Sequence, residues 1–428
     1  MSTGAAVSAA RVFFCFALAY FLSYALRSVN AAIAPQLVAD LALSQAQLGS
    51  LTSAYLLSFA LMQWPLGALL DRYGARRVEA VLVALAALGC AWFASARDLD
   101  QLWGARALIG LGVSGCLMAA LKGFRSVYAP DRQARMTLWM VMVGSVGAIA
   151  MTAPAQWLAA WLGWRQLFAG FALLTLLAAA VLWWGLPPAP EERVAGRAPA
   201  AQAAPALGYA SFLRDPYFWR ITSLGASFQG VFIAVQTLWL GPWLTLGLGQ
   251  SPAQAAQWLL GFNVLLLLSL LALGGAAPRL EAGRRSMASV LLMSNGAMTL
   301  ALWLAVAWPL ALGPFAGFDA SWAGPVSVLV WAVYAAASCF NLLGQSYIGS
   351  CYPPALAGRV TTSYNAIIFL VAFVTQWGLG GLADRFRADG DGPSMALGHA
   401  LLSVHGVLLA IWLVVALWPA RPRVWAAP

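Results

Sequence analysis

Two arginines lie inside long apolar runs of this sequence, where a charged side chain is costly. Arg27 and Arg106 are each flanked by Leu, Ala, Val, Ile or Phe residues. An arginine in such a run must face protein or water rather than lipid, and its planar guanidinium suits a carboxylate in two-point contact. The chemistry expected here is the binding of an organic anion. The alternative for both residues is a side chain that reaches the outer headgroups from near a helix end.

Neutral polar residues recur at helical spacing in the first apolar run and in two runs of the second half. Steps of three and four place such residues on one face of a helix. The faces could line a water-filled path, or they could form hydrogen bonds between helices, worth about 0.6 kcal/mol each in membranes. For any single residue we favour the hydrogen bonds. Because three runs carry such faces, and because of the family resemblance given below, we favour the path for the faces together and predict a substrate site. Its members are Tyr20, Tyr24, Arg27, Asn30, Arg106, Gln229, Gln236, Trp239, Tyr334, Asn341, Gln345 and Tyr364.

Acidic residues are expected to be missing from the interiors of the apolar runs. The 14 Asp and Glu residues fall in predicted loops or at run ends, so no carboxylate is expected to carry a proton. Any proton coupling is then expected to use the substrate, or transport to be an electroneutral exchange. His405 is expected to be a packed residue. The five cysteines show no CxxC spacing and no neighbouring histidine, so we expect no metal site, disulfide framework or cofactor.

The elements that position these residues are membrane-spanning helices. Of 428 residues, 62% are hydrophobic and 9% are charged, whereas about a quarter are charged in soluble proteins. About 20 apolar residues cross the hydrocarbon core, and the sequence predicts twelve such runs. An Ala- and Pro-rich stretch at 187–217 is predicted to link bundles at 1–186 and 218–428. The runs cover residues 11–36, 44–70, 78–96, 102–124, 136–160, 166–186, 218–246, 254–276, 286–309, 323–348, 360–383 and 398–419.

The basic residues predict the orientation of the helices. With the N-terminus in the cytoplasm, most of the 24 Lys and Arg residues fall in cytoplasmic loops. Only Arg97, Arg165, Arg385 and Arg387 fall on the opposite side. The formal charge of +10 therefore reflects the positive-inside rule rather than binding to nucleic acid. We predict a multi-pass protein of a bacterial inner membrane with both termini and the linker in the cytoplasm.

One loop combines glycines, an aspartate and arginines at fixed spacing. The sequence GALLDRYGARR between the second and third runs offers a glycine for close helix approach, another for the turn and arginines for the headgroups. A decayed copy, GAAPRLEAGRR, occupies 275–285, and GGLADRF at 380–386 is interpreted as a coincidence of helix-end chemistry. We predict a conformational role for Gly67, Asp71, Arg72, Gly74, Arg76 and Arg77.

This loop resembles the signature G-x-L-x-D-R-x-G-x-R-R of major facilitator superfamily (MFS) transporters. Leu102, Arg106, Gly110 and Gly112 are similar to the arginine and glycines of that family's fourth helix, and YFLSYALRSVN around Arg27 is similar to the first helix of its organic-anion exchangers. The resemblance implies an all-α membrane protein with twelve transmembrane helices in two pseudo-symmetric six-helix bundles. It also implies a cavity lined by helices 1, 4, 7 and 10.

The predicted function is secondary active transport of a small organic solute by alternating access. A monoanion such as a carboxylate is favoured, with a proton or counter-anion as co-substrate, and we expect a monomer in the lipid bilayer. The alternatives are a hydrophobic drug exporter, suggested by 21 Trp and 11 Met residues, and a membrane receptor that does not transport. An enzyme is disfavoured because no run holds paired carboxylates, HExxH or GxSxG.

Overall fold

The computed structural model describes residues 9–125, 127–187, 209–281, 286–312 and 320–418, and these residues form helices joined by short turns. Ten helices are long and apolar enough to cross a membrane, and a pair bent by 44° adds an eleventh. The predicted tenth span corresponds to Ala320–Ser338 and Asn341–Ser350. The expectation of an all-α membrane protein with twelve spans is therefore confirmed.

The first six spans are numbered α1 to α6. Two of them consist of two pieces, because the helix breaks near its middle. The bounds are α1 Ala9–Leu41, α2 Gln45–Leu70, α3 Arg72–Ser95, α4 Leu99–Val113 with Cys116–Arg125, α5 Pro130–Ala150 with Ala153–Leu162, and α6 Trp164–Gly185.

The last six spans are numbered α7 to α12. A single helical turn, Ala210–Leu213, precedes them, and the rest of the predicted linker at 188–208 lies outside the described residues. The bounds are α7 Pro216–Gly247, α8 Pro252–Glu281, α9 Met287–Leu312, α10 Ala320–Ser338 with Asn341–Ser350, α11 Pro354–Ala388 and α12 Pro393–Leu417.

The chain forms two compact units. The first contains Met1–Gln36 and Ala54–Ala204, and the second contains Leu37–Ser53 and Pro205–Pro428. The second unit thus includes the end of α1 and the start of α2, which the sequence analysis assigns to the first bundle. A physical reason is the carboxylate of Asp384 in α11, described next.

Asp384 caps the N-terminus of α2 within the second unit. Its carboxylate accepts hydrogen bonds from the backbone N–H groups of Gln45 (3.3 Å) and Ala46 (2.8 Å). Helix N-termini expose such donors and favour negative charge. Gly380 allows the contact, because a Cβ there would lie 2.4 Å from the carbonyl oxygen of Gln45. Asp384 and Gly380 of the GGLADRF segment therefore have a specific packing role. The interpretation that the likeness to the loop motif is a coincidence stays a prediction.

Two of the broken helices among the described residues, α4 in the first unit and α10 in the second, have a serine at the break. In α4 the break lies at Ser114–Gly115, and in α10 it follows Ser338. Both serine hydroxyls donate to the carbonyl three residues earlier, at 2.7 Å. A side chain that bonds locally in this way competes with the helical ladder. We call the Ser114–Gly115 turn the α4 break.

The seventh span departs from α geometry around Pro242. Val235–Trp239 and Trp243–Gly247 are π-helical, with three residues of α-helix between them. Proline removes a backbone donor, and the helix adjusts by widening its turns. The disturbance that a proline is expected to cause inside a helix takes the form of π-helical turns on both sides of Pro242.

Gly74 makes the turn between α2 and α3 with φ 79° and ψ 161°. An L-residue is strained in that region by about 1–3 kcal/mol. Gly67 is helical, and no described atom lies within 4 Å of where its Cβ would be. The close approach expected at Gly67 is thus absent from this structure.

We predict that Gly74→Ala lowers the unfolding temperature of the purified protein because it forces alanine into a region that suits only glycine. Gly67→Ala is the matched control and should keep or raise that temperature, since alanine favours a helix by about 0.5–1 kcal/mol. Thermal unfolding followed by tryptophan fluorescence measures both. Equal unfolding temperatures for the two variants would contradict the strain argument.

Candidate functional site

The polar stripe of α1 lies on one face of the helix, as its spacing predicts. The rings of Tyr20 and Tyr24 are 5.0 Å apart, and their hydroxyl oxygens are 3.4 Å apart. The Arg27 guanidinium lies 4.6 Å from the centre of the Tyr24 ring, and Asn30 is fully buried. In α5, Gly144 leaves room for the pair, since a Cβ there would come within 2.9 Å of both tyrosines.

Two aromatic residues of α2 complete the surroundings of Arg27. The guanidinium lies 5.2 Å from the centre of the Phe59 ring and beside the hydroxyl of Tyr55. That hydroxyl donates to the carbonyl of Ser23 at 3.3 Å. Tyr20, Tyr24, Arg27, Tyr55 and Phe59 are called the Arg27 cluster. Tyr55 and Phe59 are not among the predicted site residues, because an aromatic residue in an apolar run ordinarily indicates packing.

Arg106 is fully buried in the first unit and does not extend to the headgroups. It donates to the carbonyl of Leu26 at 2.9 Å, and its guanidinium lies 5.0 Å from the centre of the Tyr55 ring. Gly110 lets α4 approach α2, since its Cβ would lie 2.2 Å from the carbonyl oxygen of Tyr55. Arg106 therefore contacts three helices. Of the two arginines inside the spans, Arg27 keeps some accessible surface.

A carboxyl group lies inside a membrane-spanning helix, contrary to the expectation that the spans hold none. Glu79 is fully buried in α3, about 10 Å from the start of the helix at 1.5 Å per residue. The sequence places it at a span end because Arg76 and Arg77 precede it. In the structure the side chain of Arg76 does not bond to Glu79. It donates to the Trp183 carbonyl of α6 at 3.0 Å.

A lysine outside the motif contacts the end of α2, next to the turn between α2 and α3. Lys122 donates to the carbonyl of Leu70 at 2.9 Å, at the end of α2. The Arg72 guanidinium lies 5.2 Å from the centre of the Tyr73 ring. The side chain of Asp71 lies outside the described residues. The conformational role of this loop stays a prediction.

In the second unit, three predicted site residues bond to other side chains or the backbone. Gln236 donates to the side-chain oxygen of Asn263 at 2.9 Å, and Gln345 donates to that of Asn365 at 3.4 Å. Trp239 is fully buried and donates its indole N–H to a backbone carbonyl of α11 at 3.1 Å. Trp239 therefore packs inside the unit, and its contact with a substrate stays a prediction.

The other predicted residues of the second unit keep buried polar atoms without a hydrogen-bond partner among the described residues. They are the amide oxygens of Gln229 and Asn341 and the hydroxyls of Tyr334 and Tyr364. Asn341 begins the second piece of α10 and donates its amide to the sulfur of Met298 at 3.5 Å. Buried polar groups normally find partners. A ligand or water could supply those partners here.

Comparison with known proteins identifies the family of the fold. The Major Facilitator Superfamily profile matches residues 16–376. A bacterial homologue of the human lysosomal transporter Spinster, in an inward-facing and occupied conformation, superposes with a TM-score of 0.72 at 18% identity over 99% of this chain and 100% of that chain. The D-xylose-proton symporter superposes with a TM-score of 0.71 at 15% identity, over 94% and 97%. These likenesses concern the fold.

Curated relatives include transporters with different named substrates. The Pseudomonas putida gallate transporter is 30% identical over 45% of this chain and 43% of its own length. Human monocarboxylate transporter 11 is 31% identical over 66% and 56%. A Pseudomonas aeruginosa chloramphenicol resistance protein is 30% identical over 34% and 35%. The chain thus matches less than two thirds of the length of each.

We predict that Gly225→Ala destabilises the second unit by about 1–3 kcal/mol, the usual cost of overpacking. A Cβ at Gly225 would lie 1.8 Å from the Tyr364 hydroxyl and 3.0 Å from Cζ of that ring. Tyr364→Phe removes the hydroxyl and should restore part of the stability when combined with Gly225→Ala. Tyr364→Phe alone is the control and should have little effect, since that hydroxyl has no described partner. A double variant as unstable as Gly225→Ala would contradict this packing.

Proposed function

This chain belongs to the major facilitator superfamily, and from that premise we propose that it is a secondary active transporter of a small organic monoanion, most simply a carboxylate. The observation that carries the proposal is the position of Arg27. Its guanidinium lies inside a membrane span, beside aromatic rings and a tyrosine hydroxyl, and it is half-buried. A guanidinium in this setting offers a carboxylate two parallel hydrogen bonds in a medium of low dielectric constant.

The charge of the Arg27 cluster favours a monoanion over a dianion. Arg106 is fully buried and donates to a backbone carbonyl of α1, so it serves the packing of the unit. Among the described site residues of the second unit, Gln229, Tyr334 and Asn341 are neutral. One accessible guanidinium can balance one negative charge, and a second charge would be left uncompensated in a low-dielectric site.

The names of two relatives agree with this substrate class. One is a gallate transporter and the other a monocarboxylate transporter, so carboxylates are the first compounds to test. A second candidate function is the export of a hydrophobic drug, because a third relative is named for chloramphenicol resistance. The two candidates differ in what Arg27 does. Binding of a carboxylate requires the positive charge of Arg27, whereas binding of a neutral drug does not.

We place the protein in a bacterial inner membrane as a monomer with both termini in the cytoplasm. The support is the distribution of basic residues, which concentrate in the loops on one side of the predicted topology. Under this orientation the exposed residues Ser44, before α2, and Ala388, at the end of α11, lie on the outer side. Ala210, before α7, would then face the cytoplasm.

We predict that benzoate, gallate or lactate raises the unfolding temperature of the wild type, since a ligand that binds only the folded state stabilises it. Arg27→Gln should abolish the shift. Arg27→Lys should reduce it although the charge remains, because an ammonium cannot make the two-point contact. Arg97→Gln, in an exposed loop, is the control and should keep the wild-type shift. A shift that survives in Arg27→Gln, or one given by chloramphenicol alone, would favour the drug-export function.

Orientation can be measured with single cysteines in a background that lacks the five native ones. In intact cells, a membrane-impermeant thiol reagent should label Ala388→Cys and leave Ala210→Cys unlabelled, because only the outer side is accessible. After the cells are permeabilised, both variants should react. The reverse pattern in intact cells would place the termini outside.

A further inference from the structure

Glu79 is a carboxyl group without solvent exposure inside α3. Within the described residues, neither of its oxygens has a hydrogen-bond partner beyond the weak donor of the Cys116 thiol. An ionised carboxylate in such surroundings is strongly unfavourable unless a cation or several N–H donors compensate for the lost water. A protonated carboxyl avoids most of that penalty. The burial of Glu79 therefore favours its protonated, neutral form.

The carboxyl lies against the α4 break. A Cβ on Gly115 would be 3.0 Å from Oε2 of Glu79, so the glycine leaves room for the acid. Ser23 of α1 donates to the carbonyl of Val113, directly before the break, at 3.5 Å, and Gln63 of α2 donates to the carbonyl of Ser114 at 3.1 Å. Glu79 thus belongs to a buried polar group that joins four helices. Non-helical backbone inside a membrane is tolerated where protein buries it or where it lines a water-filled cavity. The α4 break is therefore a place where water could reach the acid when the helices move apart.

Charged groups on the neighbouring helices are engaged away from Glu79. Arg76, from the start of α3, donates to a backbone carbonyl of α6, and Lys122 of α4 donates to one of α2. The titratable group that faces the carboxyl is the Cys116 thiol of α4. The same thiol interacts with Arg27 of α1. The Cys116 thiol is therefore near the buried acid, the hydroxyl of Ser23 and the arginine that we assign to the substrate.

We propose that Glu79 is the proton-binding residue of this protein and that its protonation is coupled to the anion at Arg27. The proposal rests on the proposed function and names the co-substrate of the same site. A monoanion at Arg27 together with a proton on Glu79 makes a cargo without net charge. Moving that cargo avoids transferring a charge through the low-dielectric interior.

The proton step is an exchange with water. When the helices at the α4 break separate, the O–H bond of the Glu79 carboxyl breaks, the proton passes to a water molecule, and the carboxylate keeps the electron pair. Water then solvates the carboxylate until it is protonated again. When the helices at the α4 break are packed together, Glu79 must be neutral. A deprotonated Glu79 therefore hinders the helices from packing together again.

The first test is infrared spectroscopy of the purified protein at neutral pH, which needs no substrate. Wild type should show the C=O stretch of a protonated carboxyl, shifted in D₂O, and Glu79→Gln should lose it. Glu79→Asp should retain such a band, since it keeps an acid at the same place. Absence of the band from wild type would overturn the proposal, as would a band that persists in Glu79→Gln.

The second test uses proteoliposomes with radiolabelled gallate as the probe. Wild type should accumulate gallate when the outside is acidic, whereas Glu79→Gln should exchange gallate across the membrane but lose accumulation. Accumulation by Glu79→Gln at the wild-type level would overturn the coupling. A wild type that shows the infrared band but moves neither gallate nor lactate would overturn the proposed substrate class, and the band would still support Glu79 as a proton site.

Discussion

The first unit depends on how Tyr55 accommodates two arginines inside the membrane-spanning helices. Its ring lies 5.0 Å from the Arg106 guanidinium, and its hydroxyl lies beside that of Arg27. A cation over an aromatic face is stabilised by about 0.5–2 kcal/mol, more where water is excluded. The hydroxyl donates to the Ser23 carbonyl, which fixes the ring. At Gly110, α4 also approaches the backbone carbonyl of Tyr55 closely, so α1, α2 and α4 meet at this residue.

The breaks in α4 and α10 concentrate polar chemistry in an otherwise apolar protein. A break releases backbone carbonyls, and in a membrane these must find donors within the protein. At the α4 break the donors are Ser23 and Gln63, and they bring polar side chains next to Glu79. In α10 the break places Asn341 at a helix start, with a buried amide oxygen that has no described partner. Irregular backbone thus decides where polar groups can lie.

Sequence patterns predict features that depend on neighbours along the chain and fail where distant contacts decide. The stripe of Tyr20, Tyr24 and Arg27 follows from helical spacing, and the turn at Gly74 follows from a glycine between two apolar runs. Two arginines precede Glu79, so the sequence predicts that it lies at a span end. In the structure Arg76 extends to α6, and Glu79 lies inside α3. The role of Asp384 depends on a helix start 338 residues earlier in the sequence, which no local pattern can reveal.

The two units hold different chemistry, and under the proposed function this difference bears on the class of substrate. The first unit holds the buried cations and the buried acid, whereas the predicted site residues of the second unit are amides, tyrosines and a tryptophan. Neutral donors and acceptors can orient a substrate, but they balance no charge. With Glu79 neutral, as we propose, the charges of Arg27 and of the proposed monoanion sum to zero, and a low dielectric constant favours that sum. A dianion would therefore need a second accessible cation, and Arg106 is already committed to the helix packing of the first unit.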